Sequence, residues 1–282
     1  TEEIGEYDTS AFIDFILKKT GHKDLVIICV SFGCSLHPAL IDARPEYNEK
    51  IRGAIYFNAL VNNIRQEIHM RPPHMGLLVL GDLILRAFEH RGIHEIFPGM
   101  VRFKKEFYHG CFPFTNIIIP ITRRIENGNF HVPNTFCRQL ATAIGGASLK
   151  SVQQVFQQYR RGEFAKYYYG REENLKRYGQ ESPPLFDMSK ITSFVAIYYT
   201  DGDGFTSAER TEQQTLKSLG GPTYGCLVPA FNHIDFATGE TLKYIFPDVN
   251  AVLDSLTGYS NDSQKIHSGK CPSMEWVRKL SH

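Results

Sequence analysis

Three residues of this chain combine types that together can attack a carbonyl carbon. Ser31 lies in "LVIICVSFGCSL" (25–36), directly after an apolar run; Asp203 lies in "TDGDG", and His233 in "NHIDF". A serine hydroxyl is a poor nucleophile until an imidazole takes its proton. A carboxylate holds that imidazole in the required tautomer and stabilises its cation. A nucleophile on a sharp strand-to-helix turn wants small residues two places to either side, because strand and helix pack closely around it. Gly33 satisfies this on one side, and Cys29 only approximates it on the other. Taken alone, the stretch reads either as a nucleophile turn or as an ordinary serine closing a buried strand.

Such a trio needs elements that bring it together. Residues 8–19, "DTSAFIDFILKK", place Ala11, Phe12, Phe15 and Ile16 on one helical face after Asp8 or Thr9 as N-cap, which predicts an amphipathic helix. The run Leu25 to Cys29 is short, β-branched and unalternated, as suits a strand buried on both faces of a parallel sheet. A helix to about residue 44 then leads to a second strand in "IRGAIYFNALV" (51–61). Later, "ITSFVAIYYT" (191–200), the helical "SAERTEQQTLKSLG", "TYGCLVPA" (223–230) and a final amphipathic helix continue the alternation. These pieces predict a parallel α/β sheet split by a long insertion at roughly 62–188. In open sheets of this class, sites form outside the carboxyl ends of the strands. Ser31 follows the first strand directly, Asp203 follows the strand at 194–199, and His233 follows the strand at 223–228.

The insertion is rich in aromatics and histidine, with apolar segments at 76–88 and 114–122 and the tyrosine-heavy "EFAKYYYGREENLKRYG" at 163–179. It reads as a helical cap whose apolar stripes serve either its own core or contact with lipid.

Composition excludes several classes of function. Lys+Arg 31 against Asp+Glu 30 leaves a net charge of +1, which gives no electrostatic case for nucleic acid or an anionic membrane surface. The windows "MGLLVLGDLILRAF" and "TNIIIPIT" are interrupted by charge or too short, so no transmembrane span is expected. The six cysteines (29, 34, 111, 137, 226, 271) are scattered without a C-x-x-C pair, which argues against a zinc ribbon or a thioredoxin-type site. Asn261 heads one Asn-x-Ser sequon, a weak pointer to secretion, and the opening "TEEIGEYD" does not read as a secretion leader.

Other clusters have spacings that bear on chemistry. His90 and His94 have the i, i+4 spacing of a helical metal pair, yet Arg91 follows His90 and Gly92 weakens the helix, so no metal site is expected. "DGDGFTSAERTE" has Glu212 at the twelfth place of a calcium loop, but Thr206 stands where glycine is needed and Phe205 offers no oxygen. Asp235 reads as a structural hydrogen-bonding residue beside His233.

Several stretches together resemble the acid lipase family, the gastric and lysosomal acid lipases: "EYDTSAFIDFILKKTGHKDL", "IRGAIYFNALV", "SVQQVFQQYRRGEFAKYYYG", "ITSFVAIYYTDGDGFTS" and "VPAFNHIDF". The resemblance implies an α/β-hydrolase fold with core parts at 1–61 and 189–282 and a helical cap at 62–188. It implies Ser31 as nucleophile, Asp203 rather than Asp201 as acid, His233 as base, and the backbone N–H of Phe32 as an oxyanion donor. The family's elbow is Gly-His-Ser-Gln-Gly, where this chain has Cys29-Val30-Ser31-Phe32-Gly33. The implied reaction is hydrolysis of neutral lipid esters, triacylglycerol or steryl ester, through an acyl-enzyme. It would run at a lipid–water interface, without cofactor or metal, at acidic pH, in a secreted or lysosomal setting. The alternative is a non-catalytic relative that binds lipid or a partner.

The same resemblance implies that strands preceding Thr1 in the family are missing here, with the His-Gly-Leu type loop that supplies the second oxyanion donor. His109-Gly110 lies downstream of the elbow and does not replace it. A sheet built from the later strands alone is expected to leave an unpaired parallel edge and exposed apolar faces, and so to aggregate or fold poorly unless another chain covers them. Cys111 falls near the first member of a cap disulfide of the family, but no cysteine follows at the expected spacing, so a free thiol is expected there.

Overall fold

The computed structural model describes residues 1–64, 72–96, 146–229, 231–233, 235–238 and 242–258. Four apolar, β-rich runs form one parallel sheet in the order β1-β2-β5-β6, built from β1 (Leu25–Val30), β2 (Ile51–Phe57), β5 (Phe194–Tyr199) and β6 (Thr223–Leu227). The central pair is buried along almost its whole length, which is why β2 and β5 read as continuous apolar runs. The outer strands β1 and β6 are only partly buried, so the expectation that the run Leu25 to Cys29 is covered on both faces is not met: Ile28 is 54% exposed. The strand pleat divides the core in two. Ala54, Tyr56, Val195, Ile197 and Tyr199 face one layer with Leu40, Ile41 and Tyr47, while Ile55, Phe57, Ala196 and Tyr198 face the other with Phe236, Val249 and Val252.

The first layer is carried by α1 (Ser10–Thr20) and α2 (Leu36–Ala43), the second by a C-terminal helix at Phe246–Thr257. Three expectations for this part need correction. Wide helical turns at Ile4–Thr9 lead straight into α1, so neither Asp8 nor Thr9 caps it, and Thr9 Oγ1 instead donates to the carbonyl of Ile4 at 3.0 Å. The helix extends backward because it packs on α2: a Cβ on Gly5 would lie 2.6 Å from that of Ala39, an approach that only glycine permits. The buried stripe of α1 is Ser10, Ile13 and Leu17, whereas Phe12, Phe15 and Ile16 are exposed, at 68%, 60% and 43%. Lastly, β2 stops at Phe57 rather than running to residue 61, because Asn58 takes a positive φ of 41° and turns the chain.

The chain divides into two compact units, one made of 1–64, 164–166 and 184–282, the other of 65–163 and 167–183. In the second, α3 (Pro72–His90) packs on α4 (Leu149–Arg161) through Leu85, Phe88, Leu149, Val152 and Phe156, beside a two-stranded pairing of β3 (Glu95–Ile96) with β4 (Ala147–Ser148). A further helix, α5, spans Arg171–Tyr178. Helix α3 ends at His90 and Gly92 follows at φ 72°, so His90 and His94 do not share one helix. The apolar segment 114–122, Cys111 and His109-Gly110 lie outside the described residues. Among the described residues no helix is long and apolar enough to cross a membrane.

Candidate active site

All three chemistry-bearing residues fall in the first unit, each just beyond the carboxyl end of a strand. Val30 ends β1 in extended geometry, Ser31 then takes φ 53°, and a 3-10 turn runs from Ser31 to Ser35 into α2. A non-glycine residue at positive φ is sterically costly, by about 1–3 kcal/mol, and persists only where its surroundings dictate it. Here Leu60 N–H donates to the Ser31 carbonyl at 3.1 Å, and Ser35 Oγ donates to the carbonyl of Leu60. The loop after β2 thus holds the turn from one side.

Asp203 follows β5 and is fully buried. Its Oδ1 accepts from the backbone N–H groups of Phe205 (2.6 Å) and Thr206 (3.2 Å), and its Oδ2 from Thr206 Oγ1 at 2.6 Å. Burial alone would raise its pKa. The charge of His233, with hydrogen bonds from His233, Thr206 and Phe205, outweighs it and holds the carboxyl below the usual carboxylate range. It is therefore ionised at neutral pH. By contrast, the competing Asp201 is exposed.

His233 follows β6, with Nδ1 at 2.7 Å from Asp203 Oδ2 and Nε2 at 2.7 Å from Ser31 Oγ. An ionised carboxylate only accepts, so Nδ1 carries the proton and Nε2 of the neutral ring accepts from the serine hydroxyl. The acid and histidine loops are pinned together. Thr200 Oγ1 donates to the Phe231 carbonyl at 2.7 Å, and a Cβ on Gly202 would sit 2.3 Å from that same oxygen, so the "TDGDG" turn requires glycine there. Asn232 and Asp235 bond reciprocally, Asn232 N–H to Asp235 Oδ2 at 2.8 Å and Asp235 N–H to Asn232 Oδ1 at 3.1 Å, so Asp235 shapes the histidine turn. The Phe205 ring meets the His233 ring edge-on at 5.0 Å.

Some features of the site escaped the sequence reading. Cys29 and Cys34, two of the cysteines read as scattered, form a disulfide that brackets Ser31, with Cα atoms 5.0 Å apart. Cys34 is completely buried in the core layer against the sheet. A Cβ on Gly33 would meet nothing within 4 Å, so the close packing invoked for that position does not operate here. Asn58, whose predecessor Phe57 pairs with Val30 in the β1–β2 ladder, is fully buried with neither side-chain amide atom hydrogen-bonded. Thr206 could have been found from the "DGDGFT" turn, where a hydroxyl three residues after an aspartate commonly bonds it. The disulfide and Asn58 left no such signal.

Within the second unit a cavity of about 180 Å³ is walled by Asp82, Arg86, Glu89, Lys150, Gln153 and Tyr167, a polar lining unsuited to an acyl chain. No group of three or more metal-ligating side chains occurs among the described residues.

A parallel sheet flanked by helices, with a serine after β1, an acid after β5 and a histidine after β6, defines an α/β-hydrolase fold. A monoglyceride lipase from Saccharomyces cerevisiae shares it, at a TM-score of 0.52 and 13% identity over 89% of this chain and 68% of that one. No family model matches the chain. Among curated proteins it is similar to Lipase 1 of Drosophila melanogaster (28% identical, 83% of this chain, 52% of the relative) and Lipase 3 of the same species (26%, 90% and 65%). It is also similar to the gastric triacylglycerol lipase of Bos taurus (25%, 83% and 59%), in keeping with the acid lipase resemblance. The chain spans about half to two thirds of the length of these relatives.

Proposed function

We propose that this chain carries the catalytic machinery of a serine ester hydrolase of the acid lipase type, acting on neutral lipid esters such as triacylglycerol or steryl ester. The observation that carries the reading is the continuous relay from Ser31 Oγ to His233 Nε2 and from His233 Nδ1 to Asp203, each link 2.7 Å long. Ser31 Oγ attacks the ester carbonyl while His233 Nε2 takes its proton. The Phe32 N–H, next in the turn, receives the developing oxyanion. Collapse of the tetrahedral intermediate expels the alcohol, protonated by His233, and leaves an acyl-serine. Water then attacks with His233 again as base, and the fatty acid departs. Asp203 stays ionised throughout and holds the imidazolium. The lipase names of the relatives support this substrate class, and their gastric member supports a secreted or lysosomal setting.

A fluorophosphonate probe tests it. The folded chain should label at one site, and labelling should vanish in Ser31→Ala while circular dichroism stays unchanged. Absence of labelling in folded wild-type protein would sink the proposal.

A further inference from the structure

We infer that the Cys29–Cys34 disulfide is a positioning device for Ser31, so that the hydrolase proposed above is fully reactive only with this bridge closed. The inference rests on that reading of Ser31. The two cysteines stand five residues apart, on either side of a serine held at φ 53°. A strained turn of this kind needs to be over-determined by its surroundings, and one ordinary support is weak here: Gly33 has open space where strand and helix would otherwise press on the turn.

The bridge supplies a covalent tie in place of that packing. It fastens the end of β1 at Cys29 to Cys34, which is wholly buried among the residues of α2 and the core. A loop this short constrains the unfolded chain little compared with longer ones, so its effect falls on local geometry more than on global stability. Opening it takes two electrons from a dithiol. One thiolate attacks a bridge sulfur to give a mixed disulfide and release the other cysteine as a thiolate. The second thiol of the reductant then displaces the first cysteine, and the reductant leaves as its own disulfide. The protein is left with two thiols at 29 and 34 and a turn free to relax toward negative φ, which moves Ser31 Oγ away from His233 Nε2.

The test compares three states of the full chain: as purified, after incubation with dithiothreitol, and after reoxidation. The second-order rate of fluorophosphonate labelling should fall at least 10-fold on reduction and return on reoxidation. With a soluble aryl ester, kcat should fall while KM holds, since the change lies in the reacting oxygen. Cys226 is disulfide-bonded too, so a Cys29→Ser/Cys34→Ser variant separates the bridges: it should label at the reduced rate and ignore dithiothreitol. If that variant does not fold, alkylation mapping of the wild type, matched to the loss of rate as Cys29 and Cys34 become reactive, carries the same information. A variant that labels at the oxidised rate, an unchanged rate once both thiols are alkylated, or free thiols at 29 and 34 in purified protein would each overturn the inference while leaving the hydrolase standing. Oxidised protein that does not label at all removes the hydrolase and the inference with it.

Discussion

Ser31 and Asn58 follow Val30 and Phe57, the last paired residues of β1 and β2, and are the only non-glycine residues at positive φ among the described residues, at 53° and 41°. For Ser31 the strain presents a hydroxyl to His233. For Asn58 it accompanies a carboxamide buried without a partner for either its oxygen or its nitrogen. An unsatisfied buried amide costs about 1–3 kcal/mol, and glycine adopts positive φ without penalty. Asn58→Gly is therefore expected to raise stability by about 1 kcal/mol after the small cavity is counted, seen as a higher urea midpoint at unchanged slope. A lower midpoint would refute this. If labelling by the probe also falls, the carboxamide serves the site at the expense of stability.

At the scale of elements, α2 meets β2 through a buried pair, His37 Nδ1 at 2.8 Å from the Tyr56 hydroxyl, with His37 Nε2 lacking any partner. Burial pushes the His37 pKa down to about 4 from its ordinary 6.5. The folded state thus wants a neutral ring while the unfolded chain takes up a proton near 6.5. The sign follows: stability is complete above 6.5, declines as pH falls from there to about 4, and levels off below, for a total of about 3 kcal/mol. Denaturation at pH 7.5 and 4.5 should show a loss of about 2–3 kcal/mol in wild type and a much flatter dependence in His37→Gln; equal slopes would refute it. Any acid working range has to be met on a scaffold that weakens through that window. The elements themselves were legible where one physical signal dominated. Apolar runs such as "FVAIYY" and "IRGAIYF" must be buried on both faces, so the parallel sheet was readable. Helical periodicity locates stripes without saying which one is covered, and α1 buries Ile13 and Leu17 rather than Phe12 and Phe15. The order of Ser31, Asp203 and His233 behind β1, β5 and β6 was equally readable. The Cys29–Cys34 pairing was not, because it depends on a turn that only the three-dimensional path reveals.

At the scale of the whole molecule, exposed apolar side chains among the described residues bear on its behaviour in solution. Ile28 on β1 is 54% exposed, and Phe12, Phe15 and Ile16 on α1 add further uncovered apolar surface. Exposed apolar surface promotes association. The chain by itself should self-associate with rising concentration in sedimentation velocity, and Ile28→Lys should shift it toward monomer; a monomeric wild type at high concentration would contradict this. Another consequence concerns time. The sheet joins β2 to β5 across the whole second unit, and ties such as Lys190 to Asp42 close a separation of 148 residues. Loop closure over such a span is slow to find, although its equilibrium cost grows only with the logarithm of length. Ser31 lies before that closure, and Asp203 and His233 lie after it. The relay can exist only once the two distant stretches of chain have zipped together, so in a refolding experiment the return of probe reactivity would mark the last step of assembly, after helix and strand signals have already recovered.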